Sequence, residues 1–230
     1  YDHNMLVMSE RLTEHLPKSD KFTPKQKLWY IRAKEVVISS GSIERPLVFG
    51  NNDTPGVLLS SAAKEYMKVY GVLVGKKPII FTNNDSAYET AIEFKKNGVD
   101  PIVLDSRKEL SSDLIKEAKS LGINIKFEYV VVNANGYRKV KSADIAKISD
   151  DKTTLGKIEN IACDCICVSG FWTPTIHLAS QSGGKTKFNE EIDAFIPSKS
   201  KQNETTVGSA NGIFNLQDSL NTSFESEKPL

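Results

Sequence analysis

Apolar residues recur along this chain in short β-branched runs, several of them followed by a tight turn and then by an apolar stripe at helical spacing. That is the texture of the strand, turn and helix units from which doubly wound nucleotide-binding folds are built. The first unit is Ala33-Lys34-Glu35-Val36-Val37-Ile38-Ser39-Ser40-Gly41, a short apolar run ending in small residues. Pro46, Pro55 and Gly56 keep the next stretch irregular. Ser60 to Tyr70 then reads as a helix in which Ala63, Met67 and Tyr70 share a face, with Gly71 as its stop. The second unit is clearer. Ile79-Ile80-Phe81 is a buried strand, Thr82-Asn83-Asn84-Asp85 a turn, and Ser86 to about Asn97 a helix closed by Gly98. Val99 to Asp105, Ser111 to Leu121 and Ile123 to Phe127 continue as strand, helix and strand, so the stretch predicts βαβαβ with a parallel sheet.

From Tyr129 the pattern changes to strands joined by polar turns, with Asn135-Gly136 as a hairpin signal and Ser149 to Lys157 as a looser turn; an antiparallel meander is expected. Ile161 to Ser169 reads as one strand ending in Ser169-Gly170, an echo of Ser39-Ser40-Gly41. Phe171 to Pro174 reads as a rigid loop and Pro197 to Thr206 as a polar connector. Val207 to Gly212 then opens a helix running to about Leu220, and a tail from Glu225 to Leu230 is expected to fray. The two echoed units are what a domain interrupted by an inserted nucleotide-type domain leaves behind. The expected lobes are residues 1–72 with 158–230, and an inserted Rossmann-like lobe at 73–157 that includes the antiparallel strands.

Composition changes this picture little. The 230 residues are 39% hydrophobic, enough for a substantial core, and 30 Lys and Arg against 29 Asp and Glu give a net charge of +1. No global field draws nucleic acid or an acidic membrane, and no apolar run approaches the roughly 18 residues of a spanning helix. Cys163, Cys165 and Cys167 alternate, which on a single strand points all three thiols to one face. They read as reduced, buried core residues of a cytoplasmic protein. The start at Tyr1-Asp2-His3-Asn4, without initiator Met, basic leader or cleavage pattern, points to a segment of a longer chain.

The turn after Ile79-Ile80-Phe81 is where a dinucleotide fold carries its glycines, yet it has none. Asn83 and Asn84 crowd the phosphate position. Asp85 is expected to cap the helix and repel a phosphate, with Ser86 and Glu89 at capping-box spacing. Asp105 stands where an NAD site places its ribose-binding acid, or is a turn residue. Gly208 and Gly212, flanking Ser209-Ala210-Asn211, would expose N–H groups to a ligand's phosphate or ribose. His3, His15 and His177 are scattered, and neither a catalytic set nor a metal site emerges.

Several stretches together carry a family likeness. They are Tyr1-Asp2-His3-Asn4, Glu44-Arg45-Pro46-Leu47-Val48-Phe49 with Asn51-Asn52-Asp53 and Pro55-Gly56-Val57, Thr82 to Tyr88, Ser180-Gln181-Ser182-Gly183-Gly184-Lys185, and Gly208 to Gly212. In these the chain resembles the alpha subunits of heterotetrameric sarcosine oxidases. The resemblance implies an α/β, disulfide-reductase-like architecture with two dinucleotide-binding domains. It also implies a longer polypeptide, with a glycine-rich Rossmann unit upstream and a folate-binding domain downstream. Beta, gamma and delta subunits would be partners. Sarcosine would be oxidised at FAD in beta, electrons would pass through FMN to oxygen to give peroxide, and the one-carbon unit would go to tetrahydrofolate. NAD would sit in alpha, with Ser209, Phe214 and Leu216 as neighbours, Gly208 and Gly212 shaping the turn, and Ser39, Ser40 and Gly41 near the adenosine end. Ser209 stands where alanine is more usual. The same residues also suit a flavin- or NAD-dependent amine or amino-acid dehydrogenase subunit, or an interaction module with vestigial nucleotide folds.

Overall fold

A computed structural model describes residues 3–150 and 153–226. The chain forms two compact units, residues 1–43 with 173–230, and residues 44–172. In chain order the first unit begins with strands β1 (Met5–Arg11), β2 (Gln26–Arg32) and β3 (Val36–Ile38). The passage into the second unit falls within β4 (Ser42–Glu44). The second unit contains β5 (Val57–Leu59), α1 (Ser60–Lys68), β6 (Pro78–Thr82), α2 (Ser86–Lys96), β7 (Ile102–Asp105), α3 (Asp113–Ser120) and β8 (Asn124–Phe127). It continues with β9 (Tyr129–Asn135), β10 (Ser142–Lys147), β11 (Glu159–Ala162) and β12 (Cys165–Ser169). The return falls within β13 (Trp172–Pro174). The first unit resumes with α4 (His177–Gln181), β14 (Lys185–Asn189), β15 (Ala194–Lys199), β16 (Glu204–Thr206), a 3-10 turn at Gly208–Asn211 and α5 (Leu216–Ser226).

The second unit is built on a parallel sheet of order β5-β12-β6-β7-β8. Alternate residues of its strands serve two different cores, as a sheet covered on both faces requires. Ile80, Val103, Cys165 and Cys167 join Ala63, Met67, Tyr88, Phe94 and Ile115 on the helical side. Ile79, Phe81, Leu104, Ile166 and Val168 join Val131, Ala143, Ile145 and Cys163 on the other, against the antiparallel sheet β11-β10-β9. Every residue of β6 and of β12 is buried. Each large aliphatic side chain so placed contributes about 1.5–3 kcal/mol. The predicted βαβαβ order and the meander that follows are therefore present.

Several details differ from the sequence pattern. Residues 161–169 are two strands rather than one: β11 pairs with β10, whereas β12 joins the parallel sheet. The break is at Asp164, whose carboxylate accepts the Lys76 and Lys77 N–H groups at 2.8 and 2.7 Å. Consequently Cys163 faces the meander, while Cys165 and Cys167 face the helices. Burial pushes the Cys163 thiol up to about 12. Tyr70 lies past the end of α1 and is 64% exposed rather than sharing the buried face. Phe171 to Pro174 includes the short strand β13, and the expected connector at 197–206 contains the end of β15 and all of β16. The helix expected from Val207 is instead a 3-10 turn ended by Gly212 in the left-handed region, and α5 starts afresh at Leu216. Of the expected frayed tail, residues 227–230 lie outside the described residues. The sequence pattern puts the lobe changes near 72 and 158; packing puts them at 43 and 172, because β5, α1 and β12 bury their apolar faces in the second unit's cores.

Among its described residues the first unit holds three two-stranded pairings. β1 with β2 and β14 with β15 are antiparallel, and β3 with β16 is parallel. Among the described residues no helix is long and apolar enough to cross a membrane, and no cluster of His, Cys, Asp and Glu has the makings of a metal site.

Gly75 tests the packing behind β12. A Cβ there would lie 2.4 Å from Cys165 Sγ and 2.8 Å from Asp164 Oδ1. Gly75→Ala is expected to cost about 1–3 kcal/mol by overpacking, seen as a lower urea midpoint with an unchanged slope.

Candidate functional site

The second unit places one candidate nucleotide turn, and the first unit two, at the carboxyl ends of parallel strands, the position at which open α/β sheets bind ligands. In the second unit this turn joins β6 to α2. Thr82 Oγ1 donates to the Asn84 carbonyl at 2.9 Å and accepts the Asn84 N–H at 3.0 Å. The buried Asn84 amide donates to the Ser169 carbonyl and hydroxyl at 3.1 and 3.0 Å, fastening β6 to β12. Its Oδ1 accepts the Ser86 N–H at 3.1 Å and the Ser86 hydroxyl at 2.6 Å. The indole N–H of Trp172 donates to the same Ser86 hydroxyl at 3.1 Å.

Asp85, expected to cap the helix, makes no side-chain capping bond; the Tyr88 N–H donates to its backbone carbonyl at 3.0 Å, and Asn84 takes the Ser86 N–H. The reason is Arg107. Its Nη2 donates to Asp85 Oδ1 at 2.7 Å and to Asp105 Oδ2 at 2.8 Å, and its Nε donates to Asp105 Oδ1 at 3.0 Å. Glu89 is drawn to Lys64 at 2.6 Å, so the expected capping box does not form either. Asp105 is fully buried, and also accepts the Arg107 N–H at 3.0 Å and the Tyr88 hydroxyl at 2.9 Å. Of the two sequence readings of Asp105, its hydrogen bonds are those of a turn acceptor, with both oxygens satisfied by its own chain. Burial, with Asp105 beside it, holds the Tyr88 phenol well above its usual range. Burial opposes the charge on Arg107, yet the hydrogen bonds to Asp105 and Asp85 hold its guanidinium above the ordinary value. This turn presents an internally hydrogen-bonded network of two carboxylates on one guanidinium, net negative, where a phosphate site would need unpaired donors.

In the first unit, Ser39, Ser40 and Gly41 follow β3, and Gly208 to Gly212 follow β16. Because β3 and β16 pair in parallel from Val36 with Glu204 to Ile38 with Thr206, both turns leave the same end of adjacent strands. Val207 N–H donates to the Ile38 carbonyl at 3.0 Å. Ser39 is exposed. The Ser40 hydroxyl donates to the Thr175 carbonyl at 2.6 Å. Gly41 and Gly208 have φ of 76° and 63°, and a Cβ on either would meet nothing closer than 4 Å. Gly212, with φ of 79°, is different: a Cβ would meet Ile196 and Ile192 at 3.0 and 3.1 Å, so it is a packing glycine. Ser209 and Phe214 are half-buried, and Leu216 is 74% exposed at the start of α5.

Sequence reasoning missed Arg107 and Tyr88. Asp105-x-Arg107 is a local signal for the first, whereas Tyr88 reaches Asp105 only through the packing of α2 on the sheet. It also missed a buried acid in the first unit. The Ser182 hydroxyl donates to Glu204 Oε1 at 2.5 Å, and Glu204 Oε2 has no hydrogen-bond partner among the described residues. Burial raises the Glu204 pKa.

Two outcomes follow. Arg107→Ala leaves Asp105 buried and uncompensated, and should cost about 2–4 kcal/mol, allowing for the partial exposure of the arginine. Adding Asp105→Asn should recover much of that loss in urea denaturation. For Glu204 the folded pKa is raised, so its contribution to stability is full below the ordinary carboxylate value of 4.5 and declines as pH rises through the folded value. Glu204→Gln should remove that decline, and the difference in urea midpoint from the parent chain should grow in the variant's favour above pH 4.5.

No protein-family profile matches the chain. Sarcosine oxidase subunit alpha from Corynebacterium sp. (strain P-1) is 34% identical over 225 residues, 96% of this chain and 23% of that subunit. The subunit alpha from Rhizobium meliloti (strain 1021) is 34% identical over 212 residues, 91% of this chain and 20% of that subunit. The crystal structure of T. acidophilum thioredoxin reductase superimposes with a TM-score of 0.66 at 17% identity, covering 84% of this chain and 64% of the reductase. The fold is thus the disulfide-reductase-like α/β fold. By sequence the chain is a relative of the sarcosine oxidase alpha subunits, and it spans between a fifth and a quarter of their length.

Proposed function

We propose that this chain is part of the alpha subunit of a heterotetrameric sarcosine oxidase and that its first unit holds NAD. The observation that carries the reading is the 34% identity maintained over 96% of the chain. In this reading the complete enzyme demethylates sarcosine to glycine, forms hydrogen peroxide and passes the one-carbon unit to tetrahydrofolate. FAD, FMN and the folate site would lie in other parts of the complex, beta, gamma and delta subunits would be partners, and the compartment would be the cytoplasm.

The residues of the first unit suit a dinucleotide. The open space in front of Gly41 and Gly208 is what a close approach of ligand to backbone needs. The Ser40 hydroxyl, bonded to the Thr175 carbonyl, fixes one wall. The Ser209 hydroxyl would offer a polar contact, and Phe214 and Leu216 an apolar flank. When bound, a nicotinamide dinucleotide can accept or donate hydride. In the second unit the equivalent turn is occupied by its own Asp85, Arg107 and Asp105 side chains, which favours a scaffolding role for it.

The test uses the complete alpha polypeptide isolated with its companion chains. Sarcosine-dependent peroxide formation is expected, together with saturable calorimetric binding of NAD that Ser209→Trp abolishes while the circular dichroism spectrum is retained. NAD binding unaffected by Ser209→Trp would remove the assignment to this turn, and absence of sarcosine turnover would remove the enzyme reading.

A further inference from the structure

Three asparagines in the chain precede a glycine, at Asn97-Gly98, Asn135-Gly136 and Asn211-Gly212. In such a pair the glycine nitrogen, uncrowded by a side chain, can attack the carbonyl carbon of the asparagine side chain. The glycine N–H must first lose its proton, so an N–H committed to an internal acceptor is withheld from the reaction. The three pairs differ in this respect. Gly98 N–H donates to the Lys95 carbonyl at 3.0 Å in the turn that ends α2, and Asn97 Nδ2 donates to the Glu93 carbonyl at 2.9 Å. Gly212 N–H donates to the Ser209 carbonyl at 3.1 Å. Gly136 N–H has no acceptor among the described residues. Exposure does not make the distinction, because Asn97 and Gly98 are exposed just as Gly136 is.

Packing also holds glycine at position 136. Its φ is 153°, and a Cβ there would lie 2.0 Å from the Lys139 carbonyl oxygen. No larger residue fits after Asn135, so the successor that least hinders attack is imposed by the turn itself. Asn135 is the last residue of β9, with its carbonyl accepting the Lys141 N–H at 2.8 Å. Residues 136–139 beyond it lie outside the strand ladder and are exposed.

We propose that Asn135 is a site of intramolecular deamidation in this protein. Hydroxide takes the Gly136 N–H proton, the nitrogen bonds to Asn135 Cγ, and the Cγ–Nδ2 bond breaks. Ammonia leaves with a proton from water, which regenerates the hydroxide and leaves a five-membered succinimide ring. A second water opens that ring at either carbonyl, giving aspartate or isoaspartate at 135. The surroundings give the new charge an effect. Side-chain hydrogen bonds from Asn160 and Asn135 hold the Asp144 carboxyl below its usual range, Asn160 donating at 2.6 Å. Deamidation replaces the Asn135 donor with a carboxylate beside a second carboxylate. Isoaspartate also lengthens the main chain where Asn135 pairs with Ser142, so the reaction loosens the end of the β9–β10 pairing.

The experiment ages the complete alpha polypeptide in its complex at mildly alkaline pH, digests samples in acid and follows the three asparagine peptides by mass spectrometry. Electron-transfer fragmentation separates isoaspartate from aspartate. Conversion at Asn135 is expected to run about fivefold or more ahead of Asn97 and Asn211, the factor set by one hydrogen bond to be broken first. Isoaspartate should appear among the products. Asn97 or Asn211 converting as fast, no conversion at 135, or aspartate alone would overturn the proposal. Asn135→Asp, made directly, should lower the urea midpoint at neutral pH, and adding Asp144→Asn should recover it. An unchanged midpoint, or no recovery, would overturn the effect assigned to the new charge.

Discussion

Burial of β6 and β12 on both faces is the constraint from which most of the second unit follows. A parallel strand covered on both sides needs apolar residues at successive positions, which is why Ile79-Ile80-Phe81 and Cys165-Ile166-Cys167-Val168 do not alternate with polar ones. It also needs the polar groups at its carboxyl end to be satisfied without bulk water. Asn84, spanning β6, β12 and the first turn of α2, meets that need with one side chain. Asp105 and Arg107 meet it for β7. Chemistry that a glycine-rich turn would leave open for a ligand is here spent on closing the sheet.

The parts of this architecture legible in the sequence were those fixed by local rules. Glycine stops at Gly98 and Gly122 bracket α2 and α3, and the apolar run at 79–81 sits between them and the preceding helix. The parts that were not legible depend on partners distant in the chain. Nothing local distinguishes one nine-residue strand from two strands with a pivot at Asp164; only the approach of Lys76 and Lys77 makes the pivot. Because side-chain direction in a strand has a period of two, that pivot reverses Cys163 relative to its neighbours. Capping chemistry failed for the same reason, since the spacing that suits Asp85 and Glu89 as caps says nothing of Arg107 or Lys64. The hairpin of β1 and β2 escaped the pattern because its apolar residues fall on both faces, as Met5, Val7 and Tyr30 on one and Met8, Trp29 and Ile31 on the other.

For the candidate site, the residue types were readable and their grouping was not. The small residues after β3 and after β16 look alike as sequence, but only strand pairing shows that they issue side by side. The glycines then separate by environment, Gly41 and Gly208 facing open space and Gly212 facing Ile196 and Ile192. A glycine count treats the three as equal; their surroundings assign two to a surface and one to packing.

The pairing of β3 with β16 has a consequence for biosynthesis. Val36 leaves the ribosome roughly 170 residues before its partner Glu204, an interval on the order of 10–30 s at typical elongation rates. Throughout it, the first unit's N-terminal portion waits without its parallel neighbour. The second unit, contiguous in sequence, has all its strands and helices available before that wait ends. The residues of the inserted unit are therefore all available to fold before β3 can pair with β16.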